Sequence, residues 1–179
     1  WAGLGLTDFG RPGNYYGRQI ARWTKQHELS QGEHNGDLER LIAWLPRHVP
    51  EDDLTTIVHG DYRIGNLMIG PDGTSVAGVL DWELSTLGHP LADLAHSAMA
   101  WHSTPPEYGG LLGLDLDALN LPMESEYTEA YYRACGHAAR MSRFHMAFAL
   151  FRFAVVFEGI AARARAGSAS ASNAAEVGP

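Results

Sequence analysis

Basic residues are scarce in this chain of 179. Lysine and arginine together number 13 against 21 aspartates and glutamates, the formal net charge is −8, and Lys25 is the only lysine. A chain this acidic repels a phosphate backbone, and it contains no basic arm, so nucleic acid is not an expected partner. There is one cysteine, Cys135. It rules out an intrachain disulfide and a cysteine-rich zinc site, suits a reducing, cytoplasmic setting, and reads as a packing residue in a helical stretch. Long apolar runs are also missing. The richest stretch, Met146 to Phe157, is interrupted by Arg152, closed by Glu158, and falls short of the roughly 20 residues a membrane span needs. A buried core helix is expected there instead, and no membrane partner. Trp1 to Asp8 has neither a basic segment nor an apolar one, so it does not read as a signal peptide. The missing initiator methionine implies a longer parent protein.

What is present is enough for one globular domain. Hydrophobic residues make up 45% and charged residues 19%, the balance of a chain that buries a core. Helical spacing runs over Asn14–Leu29, Asp37–Leu45 (stopped by Pro46 and Pro50), Leu91–Trp101 (entered at Pro90), Glu124–Ala134 and Ser142–Arg165. Thr55–Val58, Asn66–Ile69 and Ser75–Leu80 read as short strands. The last two are joined through Pro71, Asp72 and Gly73, which predicts a hairpin. Gly109–Leu121 reads as a loop, and the Ala/Ser-rich residues 167–179 as a flexible tail. The fold class is therefore α+β, mostly helical, with a small β-hairpin.

The chemistry concentrates between those strands. An apolar strand runs into His59-Gly60-Asp61, Asn66 follows five residues after the aspartate, and Asp81 closes the second hairpin strand ahead of Trp82-Glu83. Phosphoryl transfer uses such a set: a carboxylate to steer the attacking hydroxyl, and oxygen donors to hold magnesium against the phosphates. A hairpin brings Asn66 and Asp81 together across its ladder. Singly, each is equally a turn or cap residue; it is the joint order and spacing that points to catalysis. The other histidines form no close metal-ligand cluster, although His89 and His96 stand seven apart. Asp8-Phe9-Gly10 matches a kinase metal triplet in letters but precedes the loop, and Gly3-x-Gly5 lacks the strand and lysine of a nucleotide loop.

His-Gly-Asp-x-x-x-x-Asn followed by a strand-ending aspartate resembles the catalytic core of the aminoglycoside phosphotransferase and choline kinase group, which has the protein-kinase-like fold. Asp8 to Gly13, Ile57 to Arg63 and Leu80 to Ala95 most resemble the kinase-like domains associated with acyl-CoA dehydrogenases. The resemblance implies that residues 1–166 are the C-terminal catalytic lobe, with Asp61 catalytic and Asn66 and Asp81 binding Mg2+. It further implies that Asp93 and His59 support the loop. Arg63 and Glu83 are candidates for contact with phosphate or substrate. ATP (or GTP) is the implied donor, and the implied acceptor is a small-molecule hydroxyl, either on a hydroxyacyl-CoA or on an aminoglycoside-like compound. Trp101, Tyr127, Tyr131 and Phe148 are candidates for the acceptor pocket.

Nothing before Asp61 reads as the five-stranded N-terminal nucleotide-binding lobe of that group, and Lys25 sits on an expected helix. That lobe is expected upstream in a longer protein, which would leave the isolated chain nearly inactive and its exposed apolar surface free to form a homo-oligomer. Two other readings stay open. One is a kinase-like binding or regulatory module without turnover. The other is a metal-dependent phosphohydrolase built on His59, Asp61 and Asp81, although two-metal hydrolases use more ligands than this chain offers.

Overall fold

The computed structural model describes residues 1–30 and 35–165; the tail expected over 167–179 lies outside them. Helix α1 spans Tyr15–Leu29 and α2 Gly36–Trp44. Strand β1 is Thr56–Val58, β2 Leu67–Ile69, β3 Val76–Val79 and β4 Thr86–Gly88. They are followed by α3 Pro90–Ala98, α4 Pro105–Tyr108, α5 Glu124–Cys135 and α6 Arg143–Arg165. The arrangement is the mostly helical α+β one anticipated from the spacing.

Local chemistry explains most boundaries. Asn35 caps α2 by accepting the amides of Asp37 and Leu38, as short polar side chains do at helix starts. His89 caps α3 through Nδ1, and Pro90 occupies the first turn, where its missing N–H costs nothing. In the turn between β2 and β3, Asp72 Oδ1 accepts the amides of Thr74 and Ser75. Gly73, at φ +71, takes the left-handed step. That hairpin pairs Leu67 with Val79 and Met68 with Gly78.

One strand was not foreseen. β4 pairs antiparallel with β1, Ile57 opposite Leu87, making a second two-stranded sheet. Gly88 fits only because it lacks a side chain: a Cβ there would come within 2.6 Å of the Tyr15 ring and 2.7 Å of Val58. The second strand pair anchors the chain on both sides of the hairpin, so Asp61 and Asp81 leave from fixed points.

The core gathers Tyr15, Tyr16, Leu45, Val58, Phe144, Phe148, Phe151 and Val155. Tyr16 meets Phe144 and Phe148 edge-on at 4.9 and 5.0 Å, a favoured aromatic geometry. Helix α6, 23 residues long, is apolar enough by composition to cross a membrane. In this fold it lies in the middle of the molecule, packed on α1, α2 and α3. Two of its charged residues, Arg152 and Glu158, are buried and bonded to Gly60 O and the His27 ring respectively.

Phe148 is fully buried at the crossing of α1 and α6. We predict that Phe148→Ala costs about 3–5 kcal/mol. A urea midpoint unchanged from the parent chain would contradict that placement.

Candidate active site

The loop from His59 to Asn66 is built around the peptide of Gly60. Its φ of +86 suits glycine, and a Cβ would stand 2.6 Å from the carbonyl oxygen of Leu84, so glycine is required on both counts. Asp93, on α3, lies under the loop. Its Oδ2 accepts the His59 amide at 2.6 Å and its Oδ1 accepts the Gly60 amide at 2.9 Å. From the other side, Arg152 Nη2 donates to the Gly60 carbonyl. A charged group holds each face of the same stretch of backbone, and bonds of that kind are the stronger ones.

His59 is buried and joins the loop to the hairpin. Nδ1 accepts the Asp61 amide at 3.2 Å, so the proton is on Nε2, which donates to the Leu80 carbonyl at 2.8 Å. Leu80 in turn donates its amide to the Asn66 carbonyl at 2.8 Å. Asp81, next along, therefore starts beside Asn66. Its φ of 66 is a left-handed conformation, uncommon outside glycine but tolerated by aspartate.

Asp61 is about one-quarter exposed, its side chain at 23%, and both its oxygens are engaged. Oδ2 accepts Asn66 Nδ2 at 2.8 Å and Arg63 Nε at 3.2 Å. Oδ1 faces His96 Nε2 at 2.8 Å. Partial burial works to raise the pKa of this group. The hydrogen bonds from His96 and Asn66, with the charges of His96 and Arg63, outweigh it and hold the carboxyl well below the usual carboxylate range. Asp61 is thus an anion at neutral pH.

Among the described residues no group of three or more His, Cys, Asp or Glu side chains could hold a metal ion. Magnesium does not need one, since it commonly uses one or two protein oxygens and fills the rest with phosphate and water. Asn66 spends its amide nitrogen on Asp61, leaving Oδ1 without a donor among the described residues. The exposed carboxylate of Asp81 makes no hydrogen bond or ion pair with a described residue. The Asn66 amide oxygen and the Asp81 carboxylate, on backbone joined through the Leu80 amide and Asn66 carbonyl, are donors of the kind that role uses. Glu83 is exposed one turn further on.

A cavity of about 210 Å³ opens over Asp61, walled by Trp23, Tyr108, Phe153, Phe157 and Ile160, with His96 and Arg152 as its other polar members. The four aromatic residues suggested by the sequence lie elsewhere. Phe148 is in the core; Trp101 packs on Tyr127 at 5.0 Å. Tyr127 and Tyr131 line a separate cavity of about 570 Å³ behind the loop. Long-range folding of α1, α4 and α6 onto the loop supplies the walls of the cavity over Asp61, and no local pattern announces it. His89 and His96 do not pair either. His89 bonds Tyr16 and Asp52, while His96 faces Asp61. The helical spacing of Asp93 and His96 was the one signal available for the latter.

A profile of the phosphotransferase enzyme family known as APH matches residues 2–148. The chain belongs to that family. A crystal structure from Ralstonia eutropha, named as a candidate aminoglycoside phosphotransferase, superposes on this phosphotransferase domain with a TM-score of 0.94 and 46% identity. It covers 99% of this chain and 55% of that one. Mouse acyl-CoA dehydrogenase family member 10 is 40% identical over 97% of the domain, which spans 16% of that relative. The probable acyl-CoA dehydrogenase IBR3 of Arabidopsis thaliana is 38% identical over 94%, and the domain spans 22% of it. The likeness expected to kinase-like domains of acyl-CoA dehydrogenases is therefore real, and the domain is a small part of those longer chains.

Asp93→Asn leaves one loop amide facing an NH2 group in place of an acceptor. We predict a loss of about 1–3 kcal/mol and faster hydrogen exchange at the His59 or Gly60 amide. Unchanged protection at both would remove Asp93 from its supporting role.

Proposed function

We propose that this domain transfers the γ-phosphoryl group of ATP (or GTP) to a hydroxyl of a small molecule. The observation that carries the reading is the ionised Asp61 carboxylate at the floor of an apolar cavity, tied to Asn66 beside the end of a hairpin. The acceptor hydroxyl enters that cavity and hydrogen-bonds Asp61. Its oxygen attacks the γ-phosphorus, the bond from phosphorus to the β–γ bridging oxygen breaks, and the nucleoside diphosphate leaves. The hydroxyl proton passes to Asp61. Asn66 Oδ1 and the Asp81 carboxylate would hold Mg2+, which when bound offsets the negative charge of the phosphates.

The cavity favours one class of acceptor. Among the described residues Asp61 is its single acid, Arg152 adds a buried cation, His96 adds one ring nitrogen, and the remaining walls are apolar or aromatic. A polycationic aminoglycoside finds little to pair with there. A hydroxyl on an apolar chain, as in a hydroxyacyl thioester, fits better, and the acyl-CoA dehydrogenase names of the relatives agree with it. The nucleotide also needs contacts beyond this chain. Ile64, Met68, Ile69, Val76 and Leu80 are exposed on and beside the hairpin. An apolar face of this kind suits an upstream lobe packing against it, and the 55% coverage of the solved relative leaves room for one.

The test is a screen of hydroxyacyl thioesters and aminoglycosides against the full-length parent protein with ATP or GTP and Mg2+. Asp61→Asn is expected to lower turnover roughly 10²- to 10⁴-fold while nucleotide affinity stays nearly constant. Asp81→Ala is expected to weaken nucleotide binding only in the presence of Mg2+. Full turnover in Asp61→Asn would remove it as the base.

A further inference from the structure

His96 stands three residues after Asp93 on α3, a spacing that puts both side chains on one helix face. That face holds three consecutive loop residues. Asp93 takes the amides of His59 and Gly60, and His96 meets the carboxylate of Asp61. Because Asp61 is an anion, the nitrogen 2.8 Å from Oδ1 must carry a proton, so His96 donates through Nε2. The His96 side chain is only 9% exposed, and a hydrogen bond shielded from water is stronger than one in solvent. A carboxylate offers about four lone-pair sites. His96, Asn66 and Arg63 occupy three of them, from two different elements, and His96 and Asp61 both line the acceptor cavity.

We propose that His96 is a positioning residue: its Nε2–H fixes Oδ1 of Asp61 so that the carboxylate turns its remaining lone pair to the acceptor hydroxyl. This rests on the assignment of Asp61 as the base. A histidine that only filled space would not care whether its replacement could donate a hydrogen bond; a positioning histidine does. The groups bonded to the Asp61 carboxylate are Arg63 and Asn66 from its own loop and His96 from α3. Without the His96 donor, Oδ1 loses the contact that ties it to α3, and the carboxylate samples further rotamers.

In the full-length parent protein, His96→Leu is expected to lower kcat about 10- to 100-fold, the worth of one charge-assisted hydrogen bond. KM for nucleotide and acceptor should stay within about twofold. His96→Gln keeps an N–H at similar reach and should recover most of kcat. In this chain, the Hα–Hβ couplings of Asp61 measured by NMR at neutral pH should report a single rotamer in the parent and averaging over several in His96→Leu, without any turnover being needed. If the leucine variant fails to fold, His96→Asn, too short to reach Oδ1, takes its place. Wild-type kcat with an unchanged Asp61 rotamer in the leucine or asparagine variant overturns the proposal. So does an equal loss in the leucine and glutamine variants with the Asp61 rotamer unchanged. A parent protein inactive toward every acceptor would instead overturn the phosphotransfer reading, and the couplings would still decide the His96 contact.

Discussion

The grip on the Gly60 peptide organises this molecule. Asp93 holds its N–H from α3, Arg152 holds its C=O from α6, and the absence of a Cβ lets it press on Leu84. Helices α3 and α6 pack on each other, so the two charged groups close on the loop like opposed jaws. Removing either would leave a buried charge or a backbone group without its partner, and such losses cost more than the bond itself returns. Apolar packing thus sets the distance between the helices, and that distance decides where the loop sits.

Much of this was legible from the chain because it is local. His59, Gly60, Asp61 and Asn66 lie within eight residues, and the turn chemistry of Asp72 and Gly73 requires the hairpin that returns the chain toward Asn66. The long helices followed from spacing, with most ends displaced by about one residue and the end of α3 by three, where Met99–His102 tightens into a 3-10 turn. The fold class could be read for the same reason: each long element carries its own periodicity.

What could not be read depends on contacts distant in sequence. β4 is three residues long and exists because β1, about 30 residues earlier, offers it a ladder. The cavity walls come from α1, α4 and α6, so aromatics that looked equivalent by composition divide into core, rear cavity and front cavity. Phe148 and Phe153 are five residues apart on one helix and do unrelated things. His96 could be singled out only by its helical spacing from Asp93, and its partner Asp61 lies 35 positions away.

The double hold on the Asp61 carboxylate has an entropic side. A free aspartate samples several rotamers and would have to be ordered each time a hydroxyl arrived. Here the freezing of that side chain is completed when the chain folds, alongside the burial of Leu94 and Ala95 on the helix that carries His96. On the proposed function, the cost of alignment falls on the stability of the domain, and an arriving acceptor meets a group that is already held.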